Sequence, residues 1–414
     1  MRTQIAYAVL LLAGTSCSAS PQQAQSSSPQ PVPVVPKNSP LEPEIVNVRA
    51  TGGRANLAKT APPFAVANIG AFDQPFAMAF LPGGGLLVTE KAGHLKLRNN
   101  AGEVVEVDGG PTVAAAGQGG LLDVAVAPDF ATSNTIYLSY SEPGTPGSAL
   151  ALAKATLKIV DVVCVRAPCP AQAHLENVKV IWRAGSKGPG GQFGATIAFA
   201  PDGKSLFLSS GERQRFTPAQ DPGQALGKIL RLTLDGAPAP GNPMASAGGV
   251  RAATWSSGHR NPYGLAFDAQ GQLWETEMGP RGGDELNLIL PGRNYGWPIV
   301  SNGDNYSGQS IPDHPSRPDL EAPKLWWNPS ISPGGMMIYS GAMFPAYRGS
   351  AFIAALSDQS LIRVTLGDAP APADQWDMGT RIRDVAQAPD GSIWLLEDGE
   401  KGAGGKLMRL TPRR

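Results

Sequence analysis

This chain predicts an all-β fold, a six-bladed β-propeller, and three observations carry that expectation. The first is composition: of 414 residues, 50 are Gly and 39 are Pro, while only 16% are charged. Such a balance favours many short strands and tight turns over long helices. The second is an absence of pattern, since no long amphipathic helical period interrupts residues 60–414. The third is repetition. A strand–turn–strand signature recurs at residues 76–90, 121–140, 195–210, 263–277, 336–356 and 382–398. Each copy is an apolar run, a turn rich in Pro, Asp or Gly, and a second apolar or aromatic run, which is a hairpin signal. The turns fall near Pro82, Pro128, Pro201, Ala269, Pro345 and Pro389, far enough apart for a four-stranded unit around each. Repetition at this scale is how propeller blades register in a sequence, a two-sheet sandwich being the competing arrangement. The last apolar run, residues 404–412, supplies a further strand to close the ring.

The N-terminus reads as an address. Met1-Arg2, the apolar run Ile5 to Ala13 and the small residues Gly14-Thr15-Ser16 before Cys17 form an export signal over residues 1–17. That places the protein in the periplasm. Cys17 opens a second reading, an acylated lipoprotein anchor in the membrane, although Gly14 stands where such signals usually carry Leu. Residues 18–60 read as a tether, because Ser18 to Pro43 hold seven Pro, six Ser and four Gln in 26 residues. Residues 61–414 are the folded body. In an exported chain Cys164 and Cys169 are expected to pair, and with no nearby His they make a poor zinc site. Lys plus Arg and Asp plus Glu both number 34, so the basic footprint of nucleic-acid binding is missing.

Four segments between the hairpins carry more polarity than turns need. Residues 117–123 form a Gly-rich loop with one amide, Gln118, and residues 255–264 set His259, Arg260 and Asn261 just before a strand. Residues 277–298 hold Arg281, Asp284 and Glu285 among paired glycines. Alternation along RIRDV (381–385) points Arg381 and Arg383 to one face. Two arginines with Arg260 form a clamp suited to a small polyanion, set against the plainer reading of a solvated, ion-paired face. Asp284-Glu285 in a Gly-rich loop suits calcium, set against simple solvation. His94, His174 and His314 receive no role. No nucleophilic triad, P-loop or dinucleotide fingerprint is present.

Taken together, GQGGLLDVAVAPDF, the GER…AQD…LGKILRLTLDG run, WSSGHRNPYGLAF, GPRGGDELN, NYGWP and RIRDVAQAPDG resemble the soluble pyrroloquinoline-quinone (PQQ) sugar dehydrogenases. This is the glucose/sorbosone dehydrogenase family, and the likeness runs from about residue 70 to the C-terminus. The resemblance implies a six-bladed propeller and oxidation of an aldose or related alcohol, with electrons leaving to an external acceptor. It places PQQ on Gln118, Arg260, Asn261, Tyr306, the Ala355-Leu356-Ser357 turn, Arg381 and Arg383. It places one calcium on the carbonyls of Gly279 and Pro280, touching the quinone, and a structural calcium at Glu285 and Tyr295.

The resemblance also marks departures. The family's base is a His, and Gln192 occupies that position in GQFGATIAF (191–199). A carboxamide has no useful basicity at neutral pH. Thr196 replaces the following Arg, and Ser357 stands where the family's quinone-binding Lys is expected. Met278 precedes the calcium carbonyls in place of Gln or His, and Tyr263 replaces a Gln. His259 is weighed as a substitute base. The expected function is therefore a PQQ- and calcium-dependent sugar oxidoreductase with altered chemistry. Its alternatives are a non-catalytic sugar- or quinone-binding propeller and, less in keeping with the loops, a calcium-dependent lactone hydrolase.

Overall fold

A computed structural model describes residues 53–160, 172–185, 187–399 and 404–413. The signal segment, most of the tether and all three cysteines lie outside these residues. Each repeated segment forms an antiparallel hairpin, beginning with Pro75–Phe80 against Leu86–Glu90 and ending with Ile382–Gln387 against Ile393–Glu397. Outer strands complete four-stranded meanders around these hairpins. The first two meanders share one eight-stranded sheet, because Val107 and Asp108 pair in parallel with Ala173 and His174.

The leading strands are Pro75–Phe80, Leu121–Val126, Gly194–Phe199, Pro262–Phe267, Pro333–Ile338 and Ile382–Gln387. Each packs against the next and the last packs against the first, so the ring is closed. The chain's two ends supply the seam: Phe64–Asp73 pairs antiparallel with Gly404–Pro412, which pairs with Ile393–Glu397. Gly53 and Arg54 also lie on the body, parallel to Leu325 and Trp326, and Thr60 bridges to Trp376. Part of the stretch expected as tether is therefore built into the fold.

Why do these segments form these elements? The second strands of the hairpins, such as Leu86–Glu90, Ser205–Ser210 and Ser350–Ala355, are buried along their whole length. They lie between neighbouring sheets, so both faces are covered and the sequence shows apolar runs instead of alternation. Apolar clusters fill the wedges between adjacent meanders; one joins Phe76, Leu122, Tyr137, Phe193, Leu208 and Tyr263 from four of them.

Each leading strand carries a register shift near its start, for example between Pro75 and Ala77, Leu121 and Val124, and Gly194 and Ile197. A bulge bends the strand toward the axis but strands a backbone N–H. The second strand answers with a buried hydroxyl. Ala77 N–H donates to Thr89 Oγ1 (3.0 Å), Asp123 N–H to Ser139 Oγ (2.9 Å) and Thr196 N–H to Ser209 Oγ (2.9 Å). Thr89 Oγ1 also donates across to Leu122 O at 2.6 Å, tying the first hairpin to the second.

An orphaned buried N–H costs about 1–3 kcal/mol. Thr89→Val is therefore expected to lower unfolding free energy by that amount in a urea titration, and Thr89→Ser to retain most of it. Loss in Thr89→Ser with none in Thr89→Val would show that packing of the methyl, not the hydroxyl, matters at this bulge.

Candidate functional site

The turns that follow the second strands converge on one mouth of the ring, around a cavity of about 830 Å³. Four of its lining residues, Lys91, Met278, Leu356 and Asp398, each come directly after a second strand: Glu90, Glu277, Ala355 and Glu397 end those strands. The same structural position in four hairpins thus faces one space.

Of the residues singled out in the sequence, Gln118, Tyr306, Leu356, Arg381 and Arg383 line this cavity. Arg381 and Arg383 do share a face, and what holds them there is Asp398, which sequence reasoning missed. Arg381 Nη2 lies 2.9 Å from Asp398 Oδ2, and Arg383 Nη2 lies 2.5 Å from Oδ1. Burial pushes the Asp398 carboxyl up, but Arg383 and Arg381 outweigh it and hold the group below the usual carboxylate range. Arg383 also lies over the rings of Phe76 (5.3 Å) and Tyr263 (5.9 Å).

Arg260 and Asn261 sit deeper. Glu277, at the end of its strand, accepts the backbone N–H groups of Arg260 (2.5 Å) and Asn261 (3.3 Å) on one carboxylate oxygen, and its other oxygen bonds His259 Nδ1 at 3.0 Å. His259 is fully buried, bonds Ser256 Oγ through Nε2 and stacks on Tyr295. It therefore orients the loop and does not line the cavity. Arg260 Nη1 donates to the carbonyls of Met278 (2.9 Å) and Gly279 (2.6 Å), while Nη2 reaches the Tyr306 hydroxyl (3.4 Å). Its buried Nε has no partner. Asn261 Oδ1 accepts the N–H of Gly194, two residues after Gln192.

Gln192 is held in a left-handed conformation at φ 53°. Its N–H donates to Gln118 Oε1 (2.5 Å), and its own Oε1 accepts the N–H of Gln214 (3.3 Å). Beneath it lies Arg213, also missed. This buried guanidinium donates to the carbonyls of Gly188, Gly190 and Gly191 and to that of Ser148, and lies 3.7 Å over the Phe193 ring. Burial lowers its pKa to about 10, which still leaves it charged at neutral pH. Ser357 does not itself line the cavity; its hydroxyl bonds Ser330 O and the lining residue Ser332 at Oγ.

Asp284 and Glu285 are a correction to the loop reading and to the solvated one alike. They open the strand Asp284–Ile289 and both are buried. Asp284 fastens loops, accepting from Gly279, Ile331 and Ser332 N–H groups at 2.7–2.8 Å. Glu285 faces His314 Nε2 (3.2 Å), a histidine to which no role was given, and Asn287 Nδ2 (3.2 Å). Asn287 Nδ2 also meets Glu275 (3.0 Å) and Glu277 (3.4 Å), so three buried carboxylates crowd one amide. Burial, then Glu277, push the Glu275 carboxyl far up. Glu275 Oε1 and Asn287 Oδ1 have no partner. Beside them a cavity of about 10 Å³ is lined by Gly279, Glu277, Glu285 and Tyr295, about the room one ion or water takes. Hard oxygen donors, crowded carboxylates and ion-sized space fit calcium.

A second space of about 170 Å³ lies on the axis, sharing Phe76, Tyr263 and Arg383 with the mouth. Asp123 and Asp384 face it. Each caps its own bulge and the neighbouring strand: Asp123 accepts from Val124 (2.8 Å) and Ile197 (2.7 Å), Asp384 from Val385 (2.8 Å) and Met78 (2.8 Å). Burial raises Asp123 to about 8, helped by the charge of Asp384, and raises Asp384 to about 6.

These shifts have a sign. An unfolded Asp titrates near ~4, so as pH climbs from there toward 8 the unfolded chain releases protons that the folded chain retains. Folded stability contributed by this pair is full below about pH 4 and falls as pH rises to about 8. Urea unfolding between pH 5 and 8 should show a steeper decline for the natural chain than for Asp123→Asn. Parallel declines would remove Asp123 from the pH dependence.

The sequence model of the Glucose / Sorbosone dehydrogenase family matches residues 72–409. Aldose sugar dehydrogenase YliI of Escherichia coli is 38% identical over 351 residues, which cover 82% of this chain and 91% of that protein. The crystal structure of the soluble aldose sugar dehydrogenase from E. coli in its apo-form superposes with a TM-score of 0.75 at 35% identity, covering 84% of this chain and 100% of that one. The PQQ-bound form of aldose sugar dehydrogenase from Streptomyces coelicolor gives 0.66 at 29% identity, covering 85% and 99%. This chain belongs to the glucose/sorbosone dehydrogenase family.

Proposed function

We propose that the protein is a six-bladed, PQQ-dependent oxidoreductase of aldose sugars or related alcohols, one blade for each leading strand, and that it works in the periplasm. The observation that carries this reading is the cationic mouth: Lys91, Arg381 and Arg383 around one cavity, with Asp398 as the fixed anion. A small polyanion such as a tricarboxylate matches that charge and the arginine forks. When bound, PQQ supplies a two-electron acceptor. Arg381 and Arg383 would hold its carboxylates, and Arg260, steadied by Tyr306, would bring its unpartnered Nε–H to an acceptor. Calcium would be held by Glu285, the carbonyls around Tyr295 and the oxygens of Glu277. At Gly279 and Pro280 it would share the Gly279 carbonyl with Arg260, lending charge stabilisation.

The alcohol proton is where this chain differs. Gln192 Oε1 accepts a hydrogen bond but does not take a proton at neutral pH, and Gln118 pins its backbone. A placed base contributes about 10²–10⁴-fold in rate. Slow turnover follows, and this same residue favours the second reading, a ligand-binding protein without turnover. From Cys17 and the tether we further propose export, with acylation at Cys17 as the means of attachment, and an external electron acceptor.

Purified chain should bind PQQ in a spectroscopic titration and reduce a dye slowly with an aldose, and Gln192→His should recover part of the 10²–10⁴ factor. Binding with no dye reduction in either form would leave the binding-protein reading. No binding at all would remove PQQ. Calcium should raise the melting temperature of the natural chain and leave Glu285→Gln unmoved, since an ion held only by the folded state stabilises with its concentration. A natural chain indifferent to chelator and calcium would sink the metal site.

A further inference from the structure

We propose that Lys91 is a third cation of the quinone-binding mouth and takes a carboxylate of the tricarboxylate cofactor, supplying from the first hairpin the charge that Ser357 lacks. The inference rests on the PQQ reading above and deepens it. Ser357 stands where the resemblance leads one to expect lysine, and its hydroxyl is engaged with Ser330 and Ser332. Lys91 occupies the position directly after a second strand, as Leu356, Met278 and Asp398 do in their hairpins, and all four line the cavity. It reaches the same space from another strand.

Its backbone is fixed. Lys91 N–H donates to Gln74 O (3.1 Å), and its carbonyl accepts Leu121 N–H (3.2 Å). Gly120 lies so close that a Cβ there would fall 2.1 Å from the Lys91 carbonyl oxygen. The side chain therefore starts from a rigid point. Its ammonium donates to Gly117 O at 2.9 Å, beside Gln118. An ammonium carries three donors, so two remain for a ligand. Burial lowers the Lys91 pKa, and the nearby charge of Arg383 lowers it further, so like charges already crowd this wall. Only Asp398 answers them among the cavity's described lining residues, and both its oxygens are spent on arginines. Three cations against one anion leave the mouth two charges positive. A bound carboxylate relieves that repulsion as well as forming the bond, which is why Lys91 is worth more to an anion than its exposure suggests.

The test is equilibrium titration of PQQ into the full chain with calcium present, followed by the quinone's absorbance, for the natural protein, Lys91→Met and Lys91→Arg. Lost charge-assisted bonds cost enough to weaken binding at least about tenfold. Lys91→Met should show that loss, while Lys91→Arg stays within about threefold. Melting temperatures without PQQ should agree for all three, because the side chain makes a single hydrogen bond to Gly117. A second readout is independent of affinity. Acylation of Lys91 by an amine reagent, followed by mass spectrometry, should be suppressed by PQQ in the natural protein. Lys91→Met binding as tightly as the natural chain, or undiminished labelling under saturating PQQ, overturns the role of Lys91 and leaves the PQQ reading standing. A natural chain that binds no PQQ overturns both.

Discussion

Strands that meet around an axis must bend, and bending them leaves backbone N–H groups to be satisfied where water is scarce. Each leading strand solves the bend with a bulge near its start. Each stranded N–H then needs an acceptor from a neighbour, because an unpaired buried amide costs on the order of a whole hydrogen bond. Thr89, Ser139 and Ser209 provide it from within the hairpin. Asp123 and Asp384 provide it across to the next sheet, and so fasten one leading strand to another. The raised pKa values of these aspartates follow from the same geometry. They are placed where backbone donors require them, at some electrostatic cost.

The same logic extends outward to the site. Loops that carry polar chemistry cannot rely on sheet ladders for rigidity, so buried charges replace the ladder. Glu277 gathers the Arg260 and Asn261 amides. Asp284 gathers those of Gly279, Ile331 and Ser332. Arg213 gathers four carbonyls under the segment that presents Gln192. Lys228, fully buried, donates to the carbonyls of Pro218, Ala219 and Leu226 at 2.8–3.0 Å, and Ala219 O in turn accepts Gly258 N–H just before His259. Three acceptors at that distance call for three N–H donors, so the ammonium form is the one that fits, although burial pulls its pKa down to about 7. Asp284 and Arg213 hold segments of different hairpins together, while Glu277 and Lys228 brace the turns of a single hairpin.

The hairpins were legible in the sequence because burial on both faces writes them as apolar runs bounded by turn residues, independent of what they pack against. Arg381 and Arg383 were legible because alternation is local. Asp398, Glu277 and Arg213 were not, since their partners are fixed by the third dimension: Asp398 lies 15 and 17 positions from the arginines it holds. A signal for some of them did exist. The position just after each second strand recurs, and once one such residue is placed at the mouth the others follow by repetition. Asp284 and Glu285 misled for the opposite reason, as glycines around them suggested a loop while DELNLI itself continues a strand. Charge within a strand is readable only as exposed or as buried with partners, and the partners here are Asn287, His314 and backbone amides from distant turns.

Gln192 then takes its meaning from the groups that hold it. Its φ of 53° is a strained value for a residue with a side chain, and the strain is kept by Gln118 on the N–H, Gln214 on the carboxamide oxygen and Arg213 beneath. None of these contacts depends on the side chain being an amide except the one to Gln214. Gln192 itself is buried and lies behind Gln118, which lines the mouth, so the side chain at this position is set by a firmly held backbone. The cations are retained as well, by Asp398 on two arginines and by the clamped backbone of Lys91. On the proposed function, binding geometry and proton chemistry are separable in this ring: the first is spread over charges from many turns, and the second is assigned to a single position.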